Sequence, residues 1–114
     1  MSASIDTELI LDSLDQNIFV KDLDSVYISA NDSYATLIGE TPATIRGKND
    51  YDFFPQELAD KYRTDDAAVM KTGTVIDTEE PIMVGTERHI IRTVKKPLYA
   101  DGKAIAVLGI FWDI

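Results

Sequence analysis

The chain has 114 residues, 45% of them apolar and spread along its whole length, which suits one domain with its own core and argues against disorder. Its formal charge of -9, from 20 acidic and 11 basic residues, repels phosphate backbones and anionic lipids, so nucleic acid and membrane surfaces are poor partners for it. There is no cysteine and a single histidine, His89, which excludes disulfides, thiolate catalysis, thiolate zinc sites and covalent haem attachment.

Residues 1–6 have neither a basic start nor an apolar stretch, so they do not read as a signal peptide. The longest apolar run, 104–112, is too short to cross a bilayer, and a cytoplasmic location is expected. Residues 4–15 predict a helix capped by Ser4, with Asp6 and Glu8 near its positive end. Ile5, Leu9 and Leu14 form a narrow apolar stripe on it, with Ile10 and Leu11 alongside. Residues 17–22 and 26–30 predict two strands joined by a turn at Asp24-Ser25. Asn31 or Asp32 caps a helix through Ile38 that Gly39 ends. Thr41-Pro42 starts another short helix, ended by Gly47, and Asp50 is expected to cap a single turn through Phe54. Pro55 opens the longest helix, closed by Gly73 after residue 72. On that helix Leu58, Tyr62 and Val69 lie near one line, widened by Ala59 and Met70.

After Gly73 the period changes from helix to strand. Residues 75–83, interrupted by Pro81, and 87–96 predict two strands joined at Gly85. Asp101-Gly102 marks a tight hairpin into 104–114. This last strand is apolar on both faces: Ile105, Val107 and Phe111 against Leu108, Ile110 and Trp112. It therefore predicts the centre of a sheet covered on both sides.

Several stretches resemble those of one signalling family. Asn17-Ile-Phe-Val-Lys-Asp22 resembles the opening strand of the PAS fold, and the run from Asn31 to Gly39 resembles its asparagine-capped helix. The run from Gly47 to Pro55 resembles the loop before the long helix. Lys95-Lys-Pro97, Asp101-Gly102 and Gly109-Ile-Phe-Trp-Asp-Ile114 resemble the last hairpin. The motifs occur in the family's order over essentially the whole chain. The resemblance implies an α+β domain: a five-stranded antiparallel sheet, short helices and one long helix packed on one face, plus an N-terminal amphipathic helix. Residues 1–16 then form a flanking helix and 17–114 the domain proper.

The resemblance also implies a non-enzymatic sensor, upstream of a histidine kinase, a cyclic-dinucleotide enzyme or a transcription regulator. Its ligand would be a small organic molecule held non-covalently between the long helix and the sheet. The expected lining is Leu37, Ile45, Phe54 and Tyr62, then Val69, Met70, Ile82 and Phe111, with Asp66 and Arg92 as polar contacts. The family's light-sensing branch needs a cysteine that adds to flavin, and its cinnamoyl chromophore needs a cysteine too, so both are excluded here along with covalent haem. Non-covalent haem in this family takes a histidine from the long helix, where residues 55–73 have none. His89 is expected at the surface or in an interface, with non-covalent haem binding through it as the lesser alternative.

Other polar residues each have a plain reading beside a functional one. Asp65 and Asp66 flank the helix stripe, as boundary acids or as a polar contact to a ligand. Arg88 and Arg92 share one strand face, pointing either to the helices, where Arg92 could pair with Asp66, or outward. Lys95-Lys96 reads as a surface pair. Asp113 resembles the family's strand-terminal acid that ties the output end to a neighbouring strand, with Lys21 as one candidate partner. Two readings compete with the sensor: a ligand-free module that pairs proteins, and a small enzyme using Asp50, Asp52, Asp65 or Asp66 as a base. The final strand's second apolar face and the N-terminal helix predict a homodimer. Ile5, Leu9 and Leu14 would cover the chain's own sheet, leaving Ile10 and Leu11 for a second copy.

Overall fold

The computed structural model describes residues 7–114, so the expected cap Ser4 and the stripe residue Ile5 lie outside the described residues. Helix α1 is Thr7–Asp12, followed by β1 Asn17–Asp22, β2 Tyr27–Ala30, α2 Asp32–Leu37 and α3 Pro42–Ile45. A single 3-10 turn, Asp50–Asp52, leads to the long α4, Gln56–Thr72, and then to β3 Ile76–Val84, β4 Glu87–Ala100 and β5 Lys103–Asp113. The strands form one antiparallel sheet in the order β2-β1-β5-β4-β3. The last strand is therefore central, as its doubly apolar sequence predicts, and the fold is α+β.

The local chemistry explains the element boundaries. Asn31, fully buried, caps α2: its Oδ1 accepts from the Tyr34 amide at 3.1 Å and from the Ile18 amide at 3.0 Å. Its side-chain amide donates to the Leu11 and Gln16 carbonyls. All four hydrogen-bonding positions of the side chain are thus used, and one residue joins α1, β1 and α2. Thr41 and Thr44 cap each other at α3, with Pro42 opening it. At the 3-10 turn the cap is Asn49, not Asp50: its side chain accepts from the Tyr51 amide, and the Asn49 amide donates to the Asp52 carboxylate. The one-residue shift corrects the sequence expectation and leaves the Asp50 carboxylate free to turn inward. The two-residue turn at Asp101-Gly102 has φ of 52° and 77°, the pair of positive angles that a type I′ hairpin needs.

Two prolines sit within strands. Pro81 does not interrupt β3, because β3 is an edge strand with one side unpaired. Pro97 extends β4 past the predicted end; β3 pairs with β4 only as far as Lys95, so Pro97 has an open edge beside it.

The sheet's inner face carries Phe19 and Lys21 from β1, Ile91, Thr93 and Lys95 from β4, and Val107, Gly109 and Phe111 from β5. Gly109 has a packing reason to be glycine: a Cβ there would collide with the Phe19 ring. On α4 the buried line is Ala59, Tyr62, Asp66 and Val69, which puts Asp66 in the middle of the stripe rather than at its margin. Leu58 and Met70 are half-buried beside it.

The outer face is less covered. Leu108 and Ile110 are half-buried, and Ile90 and Trp112 remain 47% and 37% exposed. Helix α1 packs beside α2. Leu9 and Leu14, expected to lie on the sheet, are largely exposed, as is Ile10.

Candidate ligand-binding site

A cavity opens between α4 and the inner face of the sheet. Its walls include Phe19, Tyr34, Phe54, Tyr62 and Phe111, and its polar lining comes from Lys21, Asp50, Thr93, Lys95 and Glu80. It contains about 290 Å³ of empty space with its open mouth included, of which only about one or two waters' worth is enclosed. The enclosed part is far smaller than an ordinary ligand pocket.

The polar side of the cavity is a buried charge network. Lys21 Nζ donates to Asp50 Oδ2 at 2.6 Å and to Asp66 Oδ2 at 2.9 Å. Lys95 Nζ donates to Asp66 Oδ1 at 2.8 Å and to the Tyr62 carbonyl at 3.3 Å. The Ser25 hydroxyl adds a third bond to Asp66, at 2.6 Å. Tyr27 donates to Asp50 Oδ1 at 2.6 Å, and its oxygen lies 2.6 Å from the Tyr34 hydroxyl. Since Tyr27 spends its proton on Asp50, the Tyr34 hydroxyl is the donor in that second bond. Both lysines are at most 2% exposed and both aspartates are fully buried.

Two ammonium groups facing two carboxylates make this network neutral as a whole, which is what lets ions stay so far from water. The Lys21 ammonium also lies 4.8 Å from the Phe19 ring centre and 4.9 Å from that of Tyr27, a favourable placement over aromatic faces. Burial alone would raise the Asp66 pKa, but Lys21, Lys95 and the bonds from Lys95 and Ser25 outweigh it and hold the carboxyl below its ordinary value. Burial, with the neighbouring phenol and Asp50, pushes the Tyr27 hydroxyl far up; burial and Asp50 do the same to Tyr34. Both phenols are therefore neutral hydrogen-bonding groups. Glu80, buried at the cavity wall, is matched by Lys61 at 2.6 Å.

One lining group lacks a partner. The Thr93 hydroxyl, on a residue only 2% exposed, makes no hydrogen bond within the protein. Among the described residues no cluster of histidine and acidic side chains has the arrangement of a metal site.

The expected site residues separate into three groups. Phe54, Tyr62, Ile82 and Phe111 line the cavity. Asp66 anchors its polar side, with its carboxylate spent on lysines and Ser25. Ile45 and Leu37 pack in the core outside the cavity wall; Val69 is fully buried and Met70 half-buried on α4, both also outside it.

Three expectations are corrected. Arg92 does not reach the cavity: its guanidinium points outward and grips Asp77 through two bonds of 2.8 and 3.0 Å. Lys95 is not a surface residue; it takes the inward place assigned to Arg92, because adjacent strand residues face opposite ways. Lys21 does not pair with Asp113. It points into the core, while Asp113 meets His89 Nδ1 at 2.9 Å on the surface. The sequence reading also missed Glu80 and Thr93, whose alternation with Ile82 and Ile91 on their strands was the available signal.

The sequence of residues 11–114 matches the family model described as the PAS fold. The chain belongs to the PAS family. This PAS domain is 34% identical over 101 residues to protein y4lL of Sinorhizobium fredii, covering 87% of this chain and 12% of that protein. It is 29% identical over 111 residues to a diguanylate cyclase of Vibrio cholerae, covering 94% of this chain and 35% of that one. The chain thus spans well under half the length of these curated relatives. Solved structures share the fold. The Vibrio cholerae VqmA dimer superposes with a TM-score of 0.83 at 23% identity, over 93% of this chain and 48% of that one. The PAS domain of Bordetella pertussis BvgS gives 0.81 at 17% identity, over 94% and 82%.

Proposed function

We propose that this PAS domain is a cytoplasmic sensor that takes up a small organic molecule non-covalently in the cavity between α4 and the sheet. It passes the signal to an effector domain of a longer protein. The observation that carries the reading is the cavity itself: aromatic walls, a neutral buried charge network and an unpaired hydroxyl at one place in the core. The match to part of a diguanylate cyclase supports a cyclic-dinucleotide enzyme as one effector, and the fold of VqmA, which is described bound to DPO and to target DNA, supports a transcription regulator as another. We further propose that the domain has no catalysis of its own. Asp50 lines the cavity and Asp66 lies behind the lysines that do, but each carboxylate is tied to an ammonium group, so neither is a free general base. Native mass spectrometry of the purified chain, with a thermal-shift screen of small metabolites, tests the sensor reading. A chain that retains no compound and is stabilised by none leaves a module that only pairs proteins.

The small enclosed volume and the exposed outer sheet face favour that second reading in one respect: pairing needs no ligand. We propose a homodimer in either case, built on Trp112, Ile90 and neighbouring apolar residues of the outer face together with the N-terminal helix. Each such side chain would contribute about 1.5–3 kcal/mol on burial before ordering costs. Sedimentation velocity of the chain and its Trp112→Glu variant tests it; a wild-type chain that stays monomeric at high micromolar concentration removes the dimer from this segment.

A further inference from the structure

Resting on the sensory reading above for what passes through it, we infer that Lys61 and Glu80 form a latch at the mouth of the cavity, and that admission to the site requires α4 and β3 to part there. Only about one or two waters' worth of the cavity is enclosed. A wall must therefore move before any organic molecule is taken in.

The mouth lies on the α4–β3 side. Glu80 lines the cavity with its side chain only 3% exposed, yet its partner Lys61 is 44% exposed. Their ion pair, at 2.6 Å, therefore stands where the cavity wall meets solvent. Tyr62, next to Lys61 in the chain, meets the Phe54 ring edge-on at 5.3 Å, and these two are the most exposed of the lining residues.

The ties on the two sides of α4 differ in kind. Toward β1 and β4 the helix is held by Asp66, whose carboxylate meets Lys21 and Lys95, all three side chains at most 2% exposed. Toward β3, two side-chain bonds cross among the described residues. One is Lys61 to Glu80, and the other is the Tyr62 hydroxyl to the Pro81 carbonyl at 2.7 Å. The first lies half in solvent, where an ion pair contributes little and salt screens it. Strand β3 is also at the sheet edge, with one neighbouring strand to hold it.

Lys61 already has a second acid. Asp65, one turn along the same helix, lies 2.9 Å from its ammonium group. Releasing Glu80 thus leaves Lys61 paired and moves the Glu80 carboxylate into the mouth, toward water. Release at Asp66 would instead leave the buried Lys95 ammonium without an acid, which is far more costly. The helix is therefore fixed at Asp66 and free to part from β3 one turn earlier.

The chain contains no cysteine, so one thiol placed on the cavity wall reports its opening. Ile82→Cys on β3 and Ile91→Cys on β4 each do this, and either suffices where the other does not fold. Labelling by methyl methanethiosulfonate, which is small and uncharged, is followed by mass spectrometry across a urea series at fixed pH. A local opening gives a rate that is flat at low urea and rises only near the unfolding midpoint. Lys61→Met and Glu80→Gln should each raise the low-urea rate about three- to fivefold. Asp77→Asn, which breaks the exposed pair with Arg92 elsewhere on β3, should leave it unchanged. A rate that follows global unfolding at every urea concentration overturns the inference. So does a rate that Lys61→Met and Glu80→Gln leave unchanged, or that Asp77→Asn raises equally. No ligand enters this test, so the latch can fail while the sensory reading stands, and the metabolite screen can fail while the latch stands.

Discussion

Asp66 on α4 meets Lys95 on β4 at 2.8 Å through one carboxylate oxygen and Lys21 on β1 at 2.9 Å through the other. Strands β1 and β4 are not neighbours; β5 lies between them. A single helical carboxylate therefore ties the long helix to both halves of the sheet. Asp66→Ala leaves Lys95 with no acidic partner and Lys21 with only Asp50. The expected loss is about 3–5 kcal/mol in urea unfolding. Asp77→Ala, which breaks the exposed pair with Arg92, should cost only about 0–1 kcal/mol. Equal losses in the two variants would contradict the burial of the network.

The same carboxylate gives the domain a defined acid limb. The pKa of Asp66 is lowered on folding from its ordinary 3.8, the lysines outweighing the cost of burial. A group with a lowered folded pKa contributes stability that is complete above the ordinary value and is lost as pH falls through the folded one. Urea midpoints should hold steady down to about pH 5 and then drop toward about pH 2. Asp66→Asn cannot take up that proton, so its drop should be shallower, although its stability at neutral pH is lower. A parallel acid limb in the two proteins would assign the loss to other carboxylates.

Much of this architecture was legible in the sequence because punctuation and period agreed. Asn31, Thr41-Pro42, Gly73 and Asp101-Gly102 each fix a boundary through a local bond or a positive φ, and local chemistry needs no knowledge of the rest of the chain. The phase of β4 was not legible. Ile90 and Ile91 put an apolar residue on either face, and Arg92, Thr93, Val94 and Lys95 alternate without a clear polar side. Choosing which side faces inward requires knowing that Asp66 waits opposite, a contact 29 residues away along the chain. The same holds for Lys21: an isolated lysine in an apolar strand reads as solvated, and only two distant aspartates make its burial affordable.

Gly109 offers a packing test on the same face of the sheet. It pairs with Phe19 on one side and Lys95 on the other, and the Phe19 ring occupies the space a side chain would need. Gly109→Ala must push that ring toward the cavity, at an expected loss of about 1–3 kcal/mol. Phe19→Leu should lose stability too, by emptying part of the core. Because the two residues share one contact, the double variant should be more stable than the sum of the single losses allows. Additive losses would show that the ring is not confined by Gly109.

His89 links the C-terminal end of β5 to pH. Its Nδ1 lies 2.9 Å from Asp113, the last residue of β5, and its Nε2 lies 3.1 Å from Glu87 on its own strand. A neutral imidazole can donate through only one nitrogen, whereas the protonated ring donates through both, so protonation favours this arrangement. The bond to Asp113, then that to Glu87, raises the His89 pKa above its ordinary 6.5. A raised folded pKa means that the contribution is complete below about pH 6.5 and is lost as pH rises through the folded value. His89 is the one histidine of the chain, so its carbon-bound ring protons give an unambiguous NMR titration. The midpoint should lie above 6.5, and Asp113→Asn should lower it more than Glu87→Gln does. A midpoint at or below 6.5, or one indifferent to Asp113→Asn, would show that the strand end is not held by this histidine.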